Sequence, residues 1–352
     1  MTADTRWAWA EIDLDAIRHN VAHIREVVAP SAVWAVVKAD GYGHGADDVA
    51  RAAIDAGAEG LCVALATEGI ELRRAGIDAP ILLLSEQPPE TAPHIVRYRL
   101  TPTVYTRRFL DSLVAEGQAG LPVHLKIDTG MQRVGAHPHA VAALVSSIEE
   151  RAPAIRLAGV FTHLANADNP DDESTLAQLE QFDAVLHNIP AVPLVHAANS
   201  AAALACPASR RSLVRIGIAM YGLSPGHGVD HLCTELRPAL ELRARVSYVK
   251  QVRSGSRISY GWARTFDRDT TVATIPIGYA DGVPRRLSDT GAEVLIGGRR
   301  RPIVGSITMD QLMVDCGDDE VRAGDDVVLI GEQDGLDGLQ RIRAEEWADR
   351  LG

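Results

Sequence analysis

The sequence predicts an N-terminal (β/α)8 barrel, of the TIM type, followed by a mostly antiparallel β-domain. Three observations carry this. Between about residues 34 and 222, eight short runs rich in β-formers alternate with amphipathic helical stretches. Beyond about residue 223 the helical periodicity fades, and apolar runs are separated by Gly, Asp and Arg turns. A chain of 352 residues is also too long for one ordinary domain unless that domain is a barrel. A doubly wound parallel sheet is the alternative for the first part. The expected division is a barrel over 13–224 and a β-domain over 225–352, which residues 1–12 could join, with Ser224-Pro225-Gly226-His227-Gly228 as the linker.

In order, the barrel strands are expected at residues 33–37, 61–65, 81–84, 101–105, 123–127, 157–162, 194–197 and 213–218. Helical patterns lie between them, such as Leu176, Leu179, Phe182 and Leu186, with Ser174 as the N-cap. Runs at 244–251, 271–277, 292–296 and 326–330 are the strands expected in the β-domain. Period-two alternation in 123–127 sets Val123, Leu125 and Ile127 on one face and His124, Lys126 and Asp128 on the other. One face of a barrel strand meets the helices and the other meets the lumen, so the charged face points inward. A lumenal Lys126 then requires an anion, either Asp128 or a modification of the lysine itself.

The 35 basic and 47 acidic residues give a net charge of −12 with no basic tract, so nucleic acid and anionic membrane are not expected partners. The start Met1-Thr2-Ala3-Asp4-Thr5-Arg6 has no basic segment leading into an apolar one, and no apolar stretch reaches the length of a membrane span; a cytoplasmic protein is expected. Cys62, Cys206, Cys233 and Cys316 are scattered and read as buried or incidental thiols. The pairs His137 and His139, and His227 and His231, lack an adjacent acidic cluster and read as surface histidines, so no metal is expected.

Lys38 stands at the end of an apolar run, in Val36-Val37-Lys38-Ala39-Asp40-Gly41-Tyr42-Gly43-His44-Gly45. A lysine placed between an apolar strand and a glycine turn can lose part of its solvation, which favours the neutral amine that attacks a carbonyl. The same segment, with Gly41, Gly43 and Ala46, also fits a relaxed dinucleotide fingerprint, although Lys38-Ala39-Asp40 separates the first glycine from the strand. A structural lysine at a strand end is a third reading. A Walker loop is excluded, because no Gly-Lys-Ser or Gly-Lys-Thr follows.

Polar clusters follow the carboxyl ends of several expected strands: Lys38-Ala39-Asp40, Asp128-Thr129-Gly130-Met131-Gln132-Arg133, His163-Leu164-Ala165, Asn199-Ser200 and Arg215-Ile216-Gly217. Barrel active sites are assembled at that end from different strands. With Ala10-Glu11-Ile12-Asp13-Leu14-Asp15-Ala16, Leu125-Lys126-Ile127-Asp128-Thr129-Gly130-Met131, His196-Ala197-Ala198-Asn199-Ser200, Ser259-Tyr260-Gly261, Pro276-Ile277-Gly278-Tyr279-Ala280-Asp281-Gly282 and Met309-Asp310-Gln311, the chain resembles the alanine racemases, fold-type III pyridoxal-phosphate enzymes, nearly end to end.

The resemblance implies that Lys38 forms a Schiff base with pyridoxal 5'-phosphate and acts as one base, with Tyr260 of the partner subunit as the opposite base of a homodimer whose active sites are shared. Racemisation removes a proton on one face and returns it on the other, so two bases make chemical sense, although a tyrosine, ordinarily near pKa 10, must be lowered by nearby cations. Arg215 would face the pyridine nitrogen and disfavour a protonated ring, whereas decarboxylases of similar build place a carboxylate there. Arg133 would bind the substrate carboxylate, and Lys126 matches a lysine carbamylated in many relatives, which would orient Arg133. Tyr42, Ser200 and the backbone N–H groups of Gly217 and Ile218 would hold the cofactor phosphate, with His163 beside Arg215. Tyr279, Met309 and Asp310 would come across the dimer to line the mouth and the carboxylate site.

Gln132 stands where the family often has glycine, and Thr308 where cysteine is common. Relatives continue past Trp347-Ala348-Asp349-Arg350-Leu351-Gly352 with a further strand and a tyrosine near the site, which leads to an expectation of low activity. The implied function is interconversion of L-alanine and D-alanine for peptidoglycan. The alternatives are racemisation of another small amino acid, or a cofactor-holding protein made incompetent by the short end.

Overall fold

The computed structural model describes residues 6–336 and 338–352. It divides the chain into two compact units, Leu14–Ala239 and the segment up to Asp13 joined with Leu240–Gly352. The segment 224–228, expected as the linker, packs within the barrel unit, where a β-carbon on Gly228 would collide with the Asp168 carbonyl.

After β1 (Ala8–Ile12), which belongs to the β-unit, come β2 (Ala32–Val36), β3 (Gly60–Val63), β4 (Ile81–Leu83), β5 (Thr103–Val104), β6 (Leu121–Lys126), β7 (Ile155–Phe161), β8 (Leu194–His196) and β9 (Leu213–Ile216). All eight expected barrel strands are present. They pair in parallel as β4-β3-β2-β9 and β5-β6-β7-β8. Two seams close the circuit. At one, Thr101 N donates to Ile81 O at 2.8 Å and Leu83 N to Thr101 O at 2.9 Å; at the other, Ser212 N donates to Val195 O at 2.9 Å. That closure distinguishes a barrel from a doubly wound sheet.

The alternation in β6 is as expected. Val123, Leu125 and Ile127 join the apolar layer between strands and helices, while His124 and Lys126 are buried on the other face. In β2, Val33 and Ala35 face the helices, and Trp34 and Val36 belong to a separate cluster with Cys62, Leu82 and Leu213 inside the barrel. Helix α1 (Leu14–Val28) presents Ile17, Val21 and Ile24 to the outer layer, all fully buried. Each such aliphatic contributes about 1.5–3 kcal/mol on burial, more than an exposed ion pair gives.

The helix Ser174–Leu186 forms as expected, with Leu179 and Phe182 buried and Leu186 packed on the core; Leu176 alone of the expected four is exposed, and Thr175, Gln178 and Val185 are also buried. Ser174 is its first residue and not its N-cap; Asp172 Oδ1 accepts the Ser174 N–H at 2.7 Å. Gln178 joins this buried face because its amide is consumed in hydrogen bonds described below.

The β-unit holds β10 (Leu240–Arg245), β11 (Tyr248–Val252), β12 (Arg257–Ile258), β13 (Arg264–Thr265), β14 (Thr270–Ile275), β15 (Glu293–Ile296), β16 (Arg299–Val304), β17 (Leu312–Gly317), β18 (Asp326–Gly335) and β19 (Gly338–Ile342). Its main sheet is antiparallel in the order β1-β10-β18-β15-β16-β17-β14-β11, with β19 on β18. Val294, Leu295, Val314, Val327 and Val328 are its fully buried centre. Strands β1, β12, β13, β16, β17 and β19 are not read from sequence; in β16 the run Arg299-Arg300-Arg301 masks the strand pattern, and the structure pairs these arginines with Asp319, Glu293 and Glu346. No helix among the described residues is long and apolar enough to cross a membrane.

Candidate active site

Val37 N donates to Cys62 O at 3.0 Å, which keeps the chain in the sheet up to Lys38. The backbone then turns left-handed for four residues, with φ of 51° at Ala39, 53° at Asp40, 61° at Gly41 and 56° at Tyr42. Only glycine enters this region freely, and the other three cost roughly 1–2 kcal/mol each. The turn is held by Gly41 N to Val37 O at 3.0 Å, Ala46 N to Asp40 Oδ1 at 2.9 Å and Ala39 N to Glu68 Oε1 at 2.6 Å. This geometry is no dinucleotide-binding turn, and it leaves Lys38 lining a cavity of about 420 Å³ at the carboxyl ends of the strands.

Arg215 enters the same cavity from β9 and is 3% exposed. Its Nη1 donates to His196 Nδ1 at 2.8 Å, and its Nη2 donates to Thr162 O at 2.9 Å and Ala197 O at 3.0 Å. Since Arg215 can only donate, the His196 proton sits on Nε2, from which it is donated to His124 Nδ1 at 2.9 Å. His163 Nδ1 lies 3.4 Å from Arg215 Nη2. Burial, and then the Arg215 charge, push His124 and His163 down to about 3 and His196 well below the usual range. The histidines around Arg215 are therefore neutral, and no described carboxylate lies within ion-pair distance of the guanidinium. Burial lowers Arg215 itself to about 10, which leaves it charged at neutral pH.

Lys126 Nζ donates to Leu84 O at 3.1 Å and lies 5.3 Å from the Phe161 ring centroid. Burial first, then Arg215 and Arg133, push it down to about 8. Asp128 is not its ion-pair partner: Oδ1 accepts the N–H groups of Gly130 and Gln132, each at 3.0 Å, and shapes the loop that carries Arg133 to the cavity. Gln132 sits in that loop at φ 55°, which accounts physically for the glycine expected there.

Opposite these cations, Ser200 opens a short helix capped by Asn199, whose Oδ1 accepts Ala202 N at 3.0 Å. Ser200 Oγ accepts the Gly217 N–H at 2.9 Å, which leaves the hydroxyl proton free to point into the cavity. The Gly217 N–H, expected to face a phosphate, is thus engaged with Ser200 here. A β-carbon on Gly217 would lie 2.6 Å from the Tyr42 hydroxyl, so this position needs glycine for close approach. Burial raises the Tyr42 pKa, which keeps it a proton donor. Ile218 lines the same wall.

Lys38, Lys126, Arg133 and Arg215 converge on one cavity, with Asp168 as the carboxylate on its wall. The excess of positive charge selects an anionic ligand. The donor set fits pyridoxal phosphate: a lysine amine for its carbonyl, cations for its phenolic oxygen and ring nitrogen, and two hydroxyls for its phosphate.

Residues 12–225 match the family described as alanine racemase, N-terminal domain, and residues 239–352 match alanine racemase, C-terminal domain. The alanine racemase of Symbiobacterium thermophilum is 46% identical over 351 residues, which span 97% of this chain and 91% of that protein. The crystal structure of alanine racemase from E. faecalis has a TM-score of 0.91 at 38% identity, covering 99% of this chain and 94% of that one. The structure of alanine racemase from Bacillus anthracis with bound L-Ala-P has a TM-score of 0.90 at 40% identity, covering 98% and 90%. The chain belongs to the alanine racemase family.

This amino-acid racemase brings nine of the expected residues to one cavity: Lys38, Tyr42, Lys126, Arg133, His163, Ser200, Arg215, Gly217 and Ile218. The other four lie in the β-unit, where Tyr260 is 74% exposed and Tyr279, Met309 and Asp310 are also exposed. Their loops are tied to one another. Tyr279 N donates to Thr308 O and Ala280 N to Met309 O, both at 3.0 Å, and Ser259 Oγ donates to Ser306 O at 3.1 Å. Gly278 permits the first of these contacts, since a β-carbon there would collide with Thr308 O.

Two supports of this candidate site are not legible in sequence. Gln178 accepts Ala165 N at 2.9 Å and donates to His163 O at 3.2 Å and Thr129 Oγ1 at 3.3 Å, so it fixes the loop carrying His163. Glu68 bonds the turn beside Lys38. The available signal was a polar residue on the apolar face of a helix, which for Gln178 is visible only once the face is known.

Proposed function

We propose that this protein is a pyridoxal-phosphate-dependent alanine racemase that interconverts L-alanine and D-alanine with two bases, Lys38 and Tyr260 of the partner subunit, in a homodimer. The observation that supports it most is the convergence of Lys38 with Arg215, a buried guanidinium bonded only to neutral acceptors, at the carboxyl end of a barrel. A relative at 46% identity and solved structures, one with bound L-Ala-P, carry the name alanine racemase.

When bound, the cofactor would draw electrons from the substrate's α-carbon and so acidify its C–H. Lys38 would hold it covalently through Nζ and, once the substrate's amine replaced that bond and freed Nζ as an amine, would remove or return the α-proton on one face. Tyr260 would do the same on the opposite face, so that each enantiomer loses its proton to one base and gains one from the other. Arg215, permanently charged, would hold the ring nitrogen without protonating it, a weaker electron sink that suits proton exchange over transamination. Tyr42 and Ser200 would donate to the phosphate, and Arg133 would grip the substrate carboxylate, oriented by a carbamate on Lys126. Tyr279, Met309 and Asp310 would complete the mouth from the partner subunit. The reaction would run in the cytoplasm and feed D-alanine to peptidoglycan precursors.

The test is incubation of purified protein and pyridoxal phosphate with L-alanine, L-serine and other small L-amino acids, followed by chiral chromatography. D-Alanine as the main product is expected. Turnover of another substrate in preference to alanine overturns the substrate assignment, and no D-product from any of them overturns the racemase reading.

A further inference from the structure

Glu68 has two functions in one carboxylate. Its Oε2 accepts the N–H groups of Ala64 at 2.7 Å and Leu65 at 2.9 Å, which caps the helix Ala66–Arg74 that follows β3. Its Oε1 reaches across to the neighbouring strand end and accepts the N–H of Ala39, the residue next to Lys38, at 2.6 Å. Ala39 opens the left-handed turn, so its amide has left the β2 ladder and no longer meets a backbone carbonyl of a neighbouring strand. A charged acceptor fixed to a helix end supplies the missing partner. The turn needs one, because Ala39, Asp40 and Tyr42 all hold positive φ and return to ordinary helical or extended values if released.

The geometry points to Glu68 as the positioning residue for Lys38: its carboxylate locks the first amide of the left-handed turn to the β3 exit, and thereby sets where the lysine amine and the Tyr42 hydroxyl stand. Lys38 and Tyr42 sit at the two ends of that turn, with Lys38 Nζ 5.9 Å from the Tyr42 ring centroid and both side chains on the cavity wall. Release of Ala39 therefore moves the base and the phosphate donor together. The inference rests on the reading of Lys38 as the residue that holds the cofactor and exchanges the proton.

The test compares the wild-type holoenzyme with Glu68→Ala, Glu68→Gln and a control, Glu346→Ala. Glu346 is chemically matched: it accepts the Arg343 N–H at the start of the last helix and pairs with Arg300, and it belongs to the β-unit, whereas Glu68 belongs to the barrel unit. For Glu68→Ala, hydrogen exchange in a peptide covering Ala39–Tyr42 accelerates about tenfold or more, and kcat falls by a similar factor while KM for L-alanine changes little. Glu68→Gln lies between, since one amide oxygen replaces two acceptors. Glu346→Ala lowers Tm but leaves both readouts at wild-type values. Should Glu68→Ala fail to fold, Glu68→Gln carries the same comparison. Wild-type exchange and kcat in the Glu68 variants, or an equal kcat loss in Glu346→Ala, overturns the assignment. Borohydride trapping of the cofactor on a different lysine defeats the reading of Lys38 instead, and the exchange result then stands separately.

Discussion

The Tyr42 hydroxyl occupies space that a β-carbon on Gly217 would need, at 2.6 Å, so a strand-end glycine determines where a phenol from another strand end can stand. Gly217→Ala is expected to displace that hydroxyl and to weaken binding of pyridoxal phosphate about tenfold, the scale of an overpacked contact. Fluorescence titration of the cofactor-free protein measures it. An unchanged Kd, with the fold intact by circular dichroism, separates Tyr42 from the phosphate.

Lys38→Ala is expected to abolish the covalent fixation of the cofactor that borohydride produces in the wild type, because reduction of a carbon–nitrogen double bond to lysine leaves a stable secondary amine, whereas reduction of the free aldehyde leaves nothing attached to the protein. Peptide mapping after reduction identifies the lysine. A variant that still carries covalently attached cofactor after reduction puts the bond on another residue, and Lys126, 5% exposed on the same cavity, is the first to examine.

Lys126, lowered to about 8 by burial and by Arg215 and Arg133, provides a neutral amine near physiological pH, and a carbamate forms only from that neutral amine. Incorporation of 13C-bicarbonate into a carbamate carbon resonance is expected to grow as the pH rises through about 8, and to be missing in Lys126→Ala. A spectrum without that resonance at about pH 9, well above the amine's value, rules the modification out.

His124 and His163 are neutral in the folded protein down to about pH 3, whereas in the unfolded chain each takes up a proton below about 6.5. Between those values the unfolded state binds more protons, so stability rises with pH there and is lost as the solution is acidified. Tm measured from about pH 4 to 7 should climb, and His124→Gln should flatten the climb by removing one of the titrating groups. Equal slopes in wild type and variant would contradict the neutral buried state of His124.

The barrel was legible because its signals are local. In β6 a two-residue alternation separates Val123, Leu125 and Ile127 from His124 and Lys126, and no distant residue is needed to read it. Lys38 was legible as a lone cation ending an apolar run. The left-handed turn after it was not, because Ala39, Asp40 and Tyr42 have no preference for that conformation and are held there in part by Glu68, 29 residues away from Ala39. Asp128 was wrongly offered as a counter-ion because sequence shows that it shares a face with Lys126, but not that two backbone amides claim its oxygen first. On the helix Ser174–Leu186 the expected Leu179 and Phe182 are buried, but Leu176 is exposed and Gln178 is buried instead, because its amide satisfies groups on two other loops, which sequence does not show.

Whether one active site draws on two chains is decided by complementation. Tyr260 is 74% exposed on the β-unit, on a loop tied through Ser259 to Ser306, while Lys38 lies in the barrel cavity. If Lys38 of one subunit works with Tyr260 of the other, the Lys38→Ala homodimer and the Tyr260→Phe homodimer each lack one base in both sites and should be nearly inactive. A mixed dimer of the two variants collects both lesions in one site and leaves the second site intact. Activity should then return to about half of wild type per mixed dimer when the sites are independent. Differential affinity tags isolate the mixed species, and D-alanine formation is measured before and after mixing. Were both bases to come from the same chain, every site in the mixed dimer would still lack one of them. No recovery in tag-verified mixed dimers would therefore remove Tyr260 of the partner subunit from the mechanism.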